Sequence, residues 1–563
     1  MLKMKIIPYS KFIIHHSKFM LCHHCQQDFA LTELDQKFLT KLQVPEPTIC
    51  PDCRRKQRLA FWPFGILQKR KCDFSGEDII STFPANARFP VYHRDHWFSD
   101  QWQAPEQEID WQRPFLEQLY ELQCQTPHFH RLSKNAENSE YADDVWDTKN
   151  AYMSRSMADC EDVSYIYRTI GSKNCLDQTY CFDMTQSYEC TYCFQGYNLK
   201  FSLNSRNCTD SYFLYDCRGC TNCFMCWNLR NKQYHIRNKA YSKEEYEKMI
   251  NTFKLNSRAS LAKFKEEFEQ HLREDAYHQI GFNNKIENSS GNYLDSCKNC
   301  QNCYFLEKAE DCLNVMRGLE DKDCYDTSGL LRGELCYGIC QCTDLHKVNF
   351  AYYSVDCSEG YYIDQCFNSK HLFGCVGLKR KEYCILNKQY TNAEYEELVS
   401  KLIEHMKKNG EWGKFFPYKF AYNGFNLSLA AFYYTETPES ITKLGGFWEE
   451  PPTSEVQGQA AKTLPDLAED ISEKFINQVY NCAKTGRPYK FVKHELEFYR
   501  KHKLPLPIYY PEERNRERFA HMVPLNPRQL NCTCCKQETT TYYPEDWGYK
   551  NILCEKCYLE KVY

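Results

Sequence analysis

No stretch of 18 consecutive apolar residues occurs in this 563-residue chain, so nothing in it reads as a bilayer-spanning helix. It also lacks an excess of one charge. Its 71 Lys+Arg meet 75 Asp+Glu for a net charge of −4, which argues against a nucleic-acid coat or a polybasic membrane binder. The opening MLKMKIIPYSKFIIHHSKFM has neither the continuous apolar segment nor the small-residue cleavage site of a secretory signal. Residues 1–19 are therefore expected to be a disordered extension or a misassigned start. Catalytic signatures are missing as well: there is no Walker loop, Rossmann fingerprint, GxSxG or HExxH, since His494-Glu495 runs on to Phe498. Neither His23-His24 nor His128-Phe-His130 has a partner that spacing would position. These absences point to a cytoplasmic protein in a reducing compartment, where clustered cysteines are thiols or metal ligands rather than bridges.

What the chain has in abundance is cysteine, 34 of them, with 42 Tyr and 35 Phe. Near the N-terminus Cys22-His-His-Cys25 is followed by Cys50-Pro-Asp-Cys53, and at the other end Cys532-Thr-Cys-Cys535 is followed by Cys554-Glu-Lys-Cys557. Each CxxC offers two thiolates from one tight turn, and two of them complete a tetrahedral four-sulfur set with no position left for water. The spacing predicts two structural zinc ions per chain, each contributing roughly 10–16 kcal/mol to folding. Cys534 is spare.

A shift of 460 residues relates the two ends: Cys22 falls on Cys482, Phe38 on Phe498, Arg54 and Arg58 on Arg514 and Arg518, and Cys72 on Cys532. Each end then reads as a tandem of two fingers, decayed in opposite ways. The C-terminal copy keeps Cys482 but has Thr485, Tyr510 and Glu513 at the other ligand positions. The N-terminal copy keeps Cys72 but has, without gaps, Ser75, Arg94 and Trp97. Aromatic packing by Tyr510 and Trp97 is expected to hold the decayed fingers. The segments 31–42 and 493–504 have helical spacing with acidic starts and basic ends. After the second CxxC come Arg54, Arg55, Lys56 and Arg58, then Lys69, Arg70 and Lys71, a candidate phosphate-contacting arm for RNA or DNA. The recurrence of Arg54 and Arg58 at Arg514 and Arg518, inside a decayed finger, favours a structural role for that pair instead.

Between Cys160 and Cys384 lie 22 cysteines. Those from Cys160 to Cys226 differ by multiples of three, as do those from Cys297 to Cys384 except Cys340. A helix would give steps of three and four and a plain strand steps of two. Steps of 9, 12 and 15 suggest a solenoid whose coils grow in units of three, with Asp159, Asn174, Asn207, Asn222, Asn299, Asp311 and Asp323 at turns beside the cysteines. The thiols read as a stack of buried small hydrophobes, with a metal store, an iron–sulfur site at Cys217, Cys220, Cys223 and Cys226, or disulfides as alternatives. Each block closes alike: residues 226–250 match 375–399 at a shift of 149, with 11 identities in 25. Tyr234 and Ile236, and Tyr383 and Ile385, alternate as in strands. Ser242 with Glu245, and Thr391 with Glu394, are capping boxes.

CPDCRRKQRLAF, RKCDFSGEDIIS, the GEWGKFFP segment and the closing CEKCYLEKVY resemble a family of cysteine-rich, zinc-ribbon-flanked proteins of Candidate Phyla Radiation (Patescibacteria) bacteria. The resemblance runs from about residue 20 to the end. It implies a bacterial cytoplasmic protein and brings no activity with it. The chain departs from the family at 509–510, where tyrosines stand in place of a ligand-like residue before the proline.

The expected fold is mixed α+β and multidomain, with zinc-ribbon or treble-clef-like modules at both ends flanking a duplicated Cys-rich β-solenoid with helical arms. The expected divisions are an N-terminal tandem zinc module at 20–100, a helical connector at 101–150 and a first solenoid block at 151–241. A helical arm at 242–285, a second block at 286–390 and a helix at 391–409 follow. An aromatic connector and linker at 410–480 and a C-terminal tandem zinc module at 481–563 complete the chain. The functional expectation is a non-enzymatic zinc-binding scaffold or adaptor for a protein or RNA partner, the ribosome included, without membrane contact. The alternatives are a thiol-rich metal buffer or redox protein using the central array, and an enzyme with an unassigned site in a solenoid groove.

Overall fold

The computed structural model describes residues 18–64, 67–310, 312–313, 321–322, 327–329, 333–334, 338–340, 343–450 and 456–563. The expected extension at 1–19 lies outside the described residues except for Lys18 and Phe19, which open the strand Lys18–Leu21. Asp311, Asp323, Cys324, Cys336 and Cys342 lie outside them too. The chain forms two compact units. One joins Met1–His130 to Gly281–Glu450, the other Arg131–Ile280 to Pro451–Tyr563. Each unit therefore combines one cysteine-knuckle tandem with the central block that is remote from it in sequence. No helix among the described residues is long and apolar enough to cross a membrane.

The three-residue cysteine spacing has a backbone cause. From Asp144 to Arg237 every third residue takes a left-handed conformation, with Gly171 and Gly219 among them. This conformation costs most L-residues about 1–2 kcal/mol, and Asn, Asp and Gly tolerate it best. Asp159, Asn174, Asn207, Asn222 and Asn299 all hold such positions, each directly before a cysteine. The residue after each bend turns inward, so Cys160, Cys175, Cys181, Cys190, Cys193, Cys208, Cys217, Cys220, Cys223 and Cys226 share one core with Val145, Val163, Leu199 and Leu214. The other unit has its own core of Cys297, Cys300, Cys303, Cys312, Cys357, Cys366, Cys375 and Cys384 with Leu and Ile. Cys340, the one out of phase, is not part of that stack. Its thiol donates to the Arg58 carbonyl at 3.2 Å.

The strands run parallel to partners 12 residues on, as in Leu176 opposite Tyr188, Leu214 opposite Cys226 and Leu372 opposite Cys384. Buried serines hold this register: the Ser187 hydroxyl accepts from the Leu199 N–H at 3.1 Å and that of Ser202 from the Leu214 N–H at 3.2 Å. At the rim Asn138 donates to Asn150 and Asn150 to Asp162, at 2.8 and 2.7 Å.

The connectivity corrects the expected β-solenoid at 151–241 and 286–390. Ala142–Tyr152, Ser154–Ala158, Tyr167–Ile170, Lys173–Phe182 and Glu161–Ser164 close a ring of five parallel pairings, and further strands pair outside it. The ring closes because two long strands, each paired with three others, reach two different members of the ring along their length. Ala142–Tyr152 pairs with Ser154–Ala158 through its first half and with Glu161–Ser164 through its second. Among the described residues coils growing through 9, 12 and 15 residues are not seen. A three-residue period fixes which side chains turn inward, but it does not fix how the strands connect.

The helices follow their sequence signals. Ser242 with Glu245 and Thr391 with Glu394 form reciprocal capping boxes that open Lys243–Thr252 and Asn392–Lys408. The strands Gln233–Ile236 and Glu382–Ile385 precede them.

Candidate metal centres

Four cysteine knuckles are built by the same backbone bonds. Each follows the first strand of an antiparallel hairpin: Lys18–Leu21 with Asp28–Leu31, Gln68–Lys71 with Asp78–Ser81, Val479–Asn481 with Pro488–Lys490, and Arg528–Asn531 with Glu538–Thr541. The N–H groups of Cys22, Cys72, Cys482 and Cys532 donate to the carbonyls five residues on, at 2.8–2.9 Å. Gln26, Gly76, Gly486 and Lys536 return a bond to the cysteine carbonyl with φ of 58°, 75°, 72° and 63°. A second segment then crosses over the knuckle. His23, Asp73, Ala483 and Thr533 donate to Thr48, Val91, Ile508 and Ile552 at 2.9–3.0 Å. Finally the residue that caps a helix donates its N–H to the first sulfur: Cys50 to Cys22 at 3.2 Å, His93 to Cys72 at 3.1 Å, Cys554 to Cys532 at 3.3 Å, and Tyr510 to Cys482.

Two of the four carry a complete sulfur set. Cys22, Cys25, Cys50 and Cys53 form one group and Cys532, Cys535, Cys554 and Cys557 the other, with all ligand atoms of each group within 4.8 Å of one another. The Cys25–Cys50 and Cys535–Cys554 sulfurs are 3.8 Å apart. A tetrahedral ion with metal–sulfur bonds of about 2.3 Å, the zinc value, has sulfur–sulfur edges of about 3.8 Å. A disulfide needs about 2.05 Å, so these are open thiol sets of a size that could hold a metal ion.

Local bonds favour the thiolate at one cysteine of each set, Cys50 and Cys532, while Cys25, Cys53, Cys554 and Cys557 are raised. A hydrogen bond from the Cys53 thiol brings the Cys50 thiol down to about 5, helped by the Cys53 N–H and opposed by burial. Burial works against ionisation of Cys532, but the N–H groups of Cys554, Cys535 and Cys534 outweigh it and bring that thiol to about 6. Burial raises Cys25 to about 11. A bound cation would draw the remaining protons off, since metal ligation by cysteine needs thiolate.

The other two modules keep the knuckle and lose ligands. In one, Arg487 lies over the Tyr510 ring at 4.3 Å and Lys484 pairs with Glu513 at 3.0 Å, so organic charges stand at the positions of the missing sulfurs. The other corrects the ungapped alignment. Its second segment is one residue shorter than that of the Cys532 module, so His93 and His96, not Arg94 and Trp97, fall where the four-cysteine modules have their third and fourth cysteines. Trp97 is instead fully buried, donating Nε1 to Pro127 O at 2.7 Å with its ring against Phe129 and Phe367.

The seven basic residues singled out in the sequence do not share one surface. Arg54, Arg55, Arg58 and Arg70 are buried. Arg54 donates to Ile49 O at 2.7 Å, Arg55 pairs with Asp52 and donates to the Tyr434 hydroxyl, and Arg70 donates to Pro84 O and Asp73. Lys56 pairs with Glu436. Lys69 and Lys71 are exposed, Lys71 at 2.9 Å from Asp78. Arg58, 1% exposed, donates Nε to the Ser328 hydroxyl at 3.2 Å. In the other unit Arg518 makes the same bond, Nε to the Thr179 hydroxyl at 3.2 Å. Arg514 and Arg518 both reach Asp177, at 2.5 and 2.8 Å.

The array thiols are occupied differently. Among the described residues each turns its S–H toward a backbone carbonyl: Cys190 toward Tyr188 and Leu199, both at 3.4 Å, and Cys366 toward Asp364 and Cys375, both at 3.5 Å. Burial pushes Cys175 and Cys357 up to about 12 and Cys384 to about 11, which keeps them protonated, whereas hydrogen bonds from neighbouring thiols bring Cys220 and Cys300 down and, against burial, Cys193 as well. Among the described residues the two four-cysteine groups are the sets whose ligand atoms already converge. His128 and His130 are core residues, His128 fully buried against Phe89 and Tyr422 with its imidazole brought down to about 3 by desolvation. No family model and no curated protein matches this chain, so the two four-cysteine centres stand on their geometry alone.

Proposed function

We propose that the protein is a cytoplasmic, non-enzymatic scaffold whose two ends are locked by structural zinc and which presents a surface to a macromolecular partner. The family resemblance, two copies of one plan within the chain, and the closed character of both sulfur sets support this reading. The observation that carries it is the tetrahedral edge of 3.8 Å in both four-cysteine groups: four sulfurs leave a metal no open position for substrate or water. A protein partner is favoured over RNA, because Arg54, Arg55, Arg58 and Arg70 are turned inward and used there. The S–H bonds to carbonyls count against the array as a metal buffer or redox store, since the described array thiols are placed as donors in a packed core. Purified protein tests the reading through its absorbance ratio and metal content. Colourless, nucleic-acid-free protein holding zinc supports the protein-binding scaffold. Bound nucleic acid moves the partner to RNA, and stoichiometric iron or copper overturns the assignment in favour of the array.

A further inference from the structure

We infer that Cys72, His93 and His96 form a third transition-metal site, open and exchangeable where the four-cysteine sites are closed. This rests on position within the module and is independent of the scaffold reading. Cys72 sits in a knuckle with the same backbone bonds as Cys22 and Cys532. His93 caps its helix and donates its N–H to the Cys72 sulfur at 3.1 Å, as Cys50 and Cys554 do to theirs. His96 follows three residues later, as Cys53 and Cys557 do. Exposure follows the four-cysteine modules at the first three positions, with a buried Cys72, an exposed Ser75 and a half-buried His93, and departs at the fourth, where His96 is half-buried and Cys53 and Cys557 are buried.

Imidazole and thiolate are the two side chains zinc takes most often. The sequence has thus kept ligand chemistry at three of four positions while replacing the second cysteine with serine. The remaining module, with Cys482, Thr485, Tyr510 and Glu513, is a natural contrast: its third position is an aromatic ring under Arg487, and its fourth is paired with Lys484. Among the described residues no basic side chain closes the Cys72 module in that way. Its imidazoles rest on weaker partners, His93 Nδ1 accepting from the Asp95 N–H at 3.2 Å and His96 Nε2 lying 3.2 Å from Glu77 Oε1. Both rings are about a third exposed; turning them onto Cys72 gives up the stacking of His93 on the buried His130, at 4.7 Å between centroids, and the contact of His96 with Phe74 at 5.1 Å, so metal binding has to outweigh two ring contacts. Glu77 then faces the fourth side, as ligand or as the carboxylate that orients His96.

Three protein ligands and a solvent-facing fourth side define a site for a divalent ion of borderline softness, with Zn²⁺ and Co²⁺ as the practical probes. The full-length protein is first dialysed against a chelator to strip exchangeable metal, then titrated with Co²⁺ and, separately, with Zn²⁺ against a chromophoric competitor. The site takes up one equivalent per chain beyond the tightly held zinc, with a thiolate-to-cobalt charge-transfer band. His96→Ala, at a part-exposed position, abolishes this uptake with the melting temperature and retained zinc unchanged, and Cys72→Ser abolishes the charge-transfer band. Absence of a further equivalent in the wild type overturns the proposal, as does its persistence in the well-folded His96→Ala protein.

Discussion

Asp177 is the most exacting place to test how a knuckle module is anchored to its strands. Its carboxylate is fully buried and receives Arg514 Nη1 at 2.5 Å and Arg518 Nη1 at 2.8 Å, both guanidiniums themselves only 3–6% exposed. Glu495 lies 3.7 Å from the other side of Arg514. Asp177→Asn keeps the shape but removes the charge that two buried cations share. Removing one partner from a buried ion pair costs about 3–5 kcal/mol, because the desolvated partner is left uncompensated. Glu495 softens the loss for Arg514 but does not reach Arg518, so the lower end of that range, about 3 kcal/mol, is expected. A urea titration at pH 8 followed by aromatic fluorescence reads this as a lower midpoint at unchanged slope. Replacing Asp177, Arg514 and Arg518 together by Leu, Met and Met should recover most of the loss, since a packed apolar set often matches a buried ionic one. A change below about 1 kcal/mol for Asp177→Asn would refute the idea that these arginines serve as buried anchors.

Other outcomes follow from the same geometry. Burial raises the Glu495 carboxyl from 4.5 to about 7, with Arg514 and the Tyr165 hydroxyl opposing. A folded-state pKa above the unfolded one gives stability that is complete below pH 4.5 and lost as pH rises to 7. The loss is about 3 kcal/mol, and Glu495→Gln should flatten that decline in a pH series of urea midpoints. Cys190→Ala should cost about 1 kcal/mol, as a methyl-sized void does, and leave metal content unchanged; loss of metal would make the array a ligand store. Asn207, with φ of 52°, should tolerate Gly but lose about 1–2 kcal/mol as Val, measured by thermal unfolding.

The sequence makes some of this legible and hides the rest for identifiable reasons. The four-cysteine sets can be read because a CxxC turn brings its own two sulfurs together, so only the pairing of turns is non-local. The inward phase of the array can be read because Asn, Asp and Gly mark the left-handed backbone that produces it. Strand connectivity cannot, because Ala142–Tyr152 and Lys173–Phe182 bond to more than one neighbour each and nothing local announces it. His93 and His96 escape because one missing residue between knuckle and helix shifts the register, which an ungapped comparison cannot absorb. The Arg54–Arg58 run looks like a nucleic-acid arm because charge is visible in a sequence and burial is not. Its echo at Arg514 and Arg518 is the signal of a structural role. That each tandem joins the block remote from it in sequence has no local signature.

The central claim is that two closed sulfur sets hold zinc while the array is a packed core. Elemental analysis of chelator-dialysed protein, with a thiol count after denaturation in the presence of chelator and a parallel count on native protein, tests it directly. Two zinc ions per chain, 34 thiols after denaturation and almost none of the array reactive in the native state are the expected result. Cys50→Ser should lose one of the two ions. Four or more retained ions, or iron or copper among them, would contradict it and place the metal in the array.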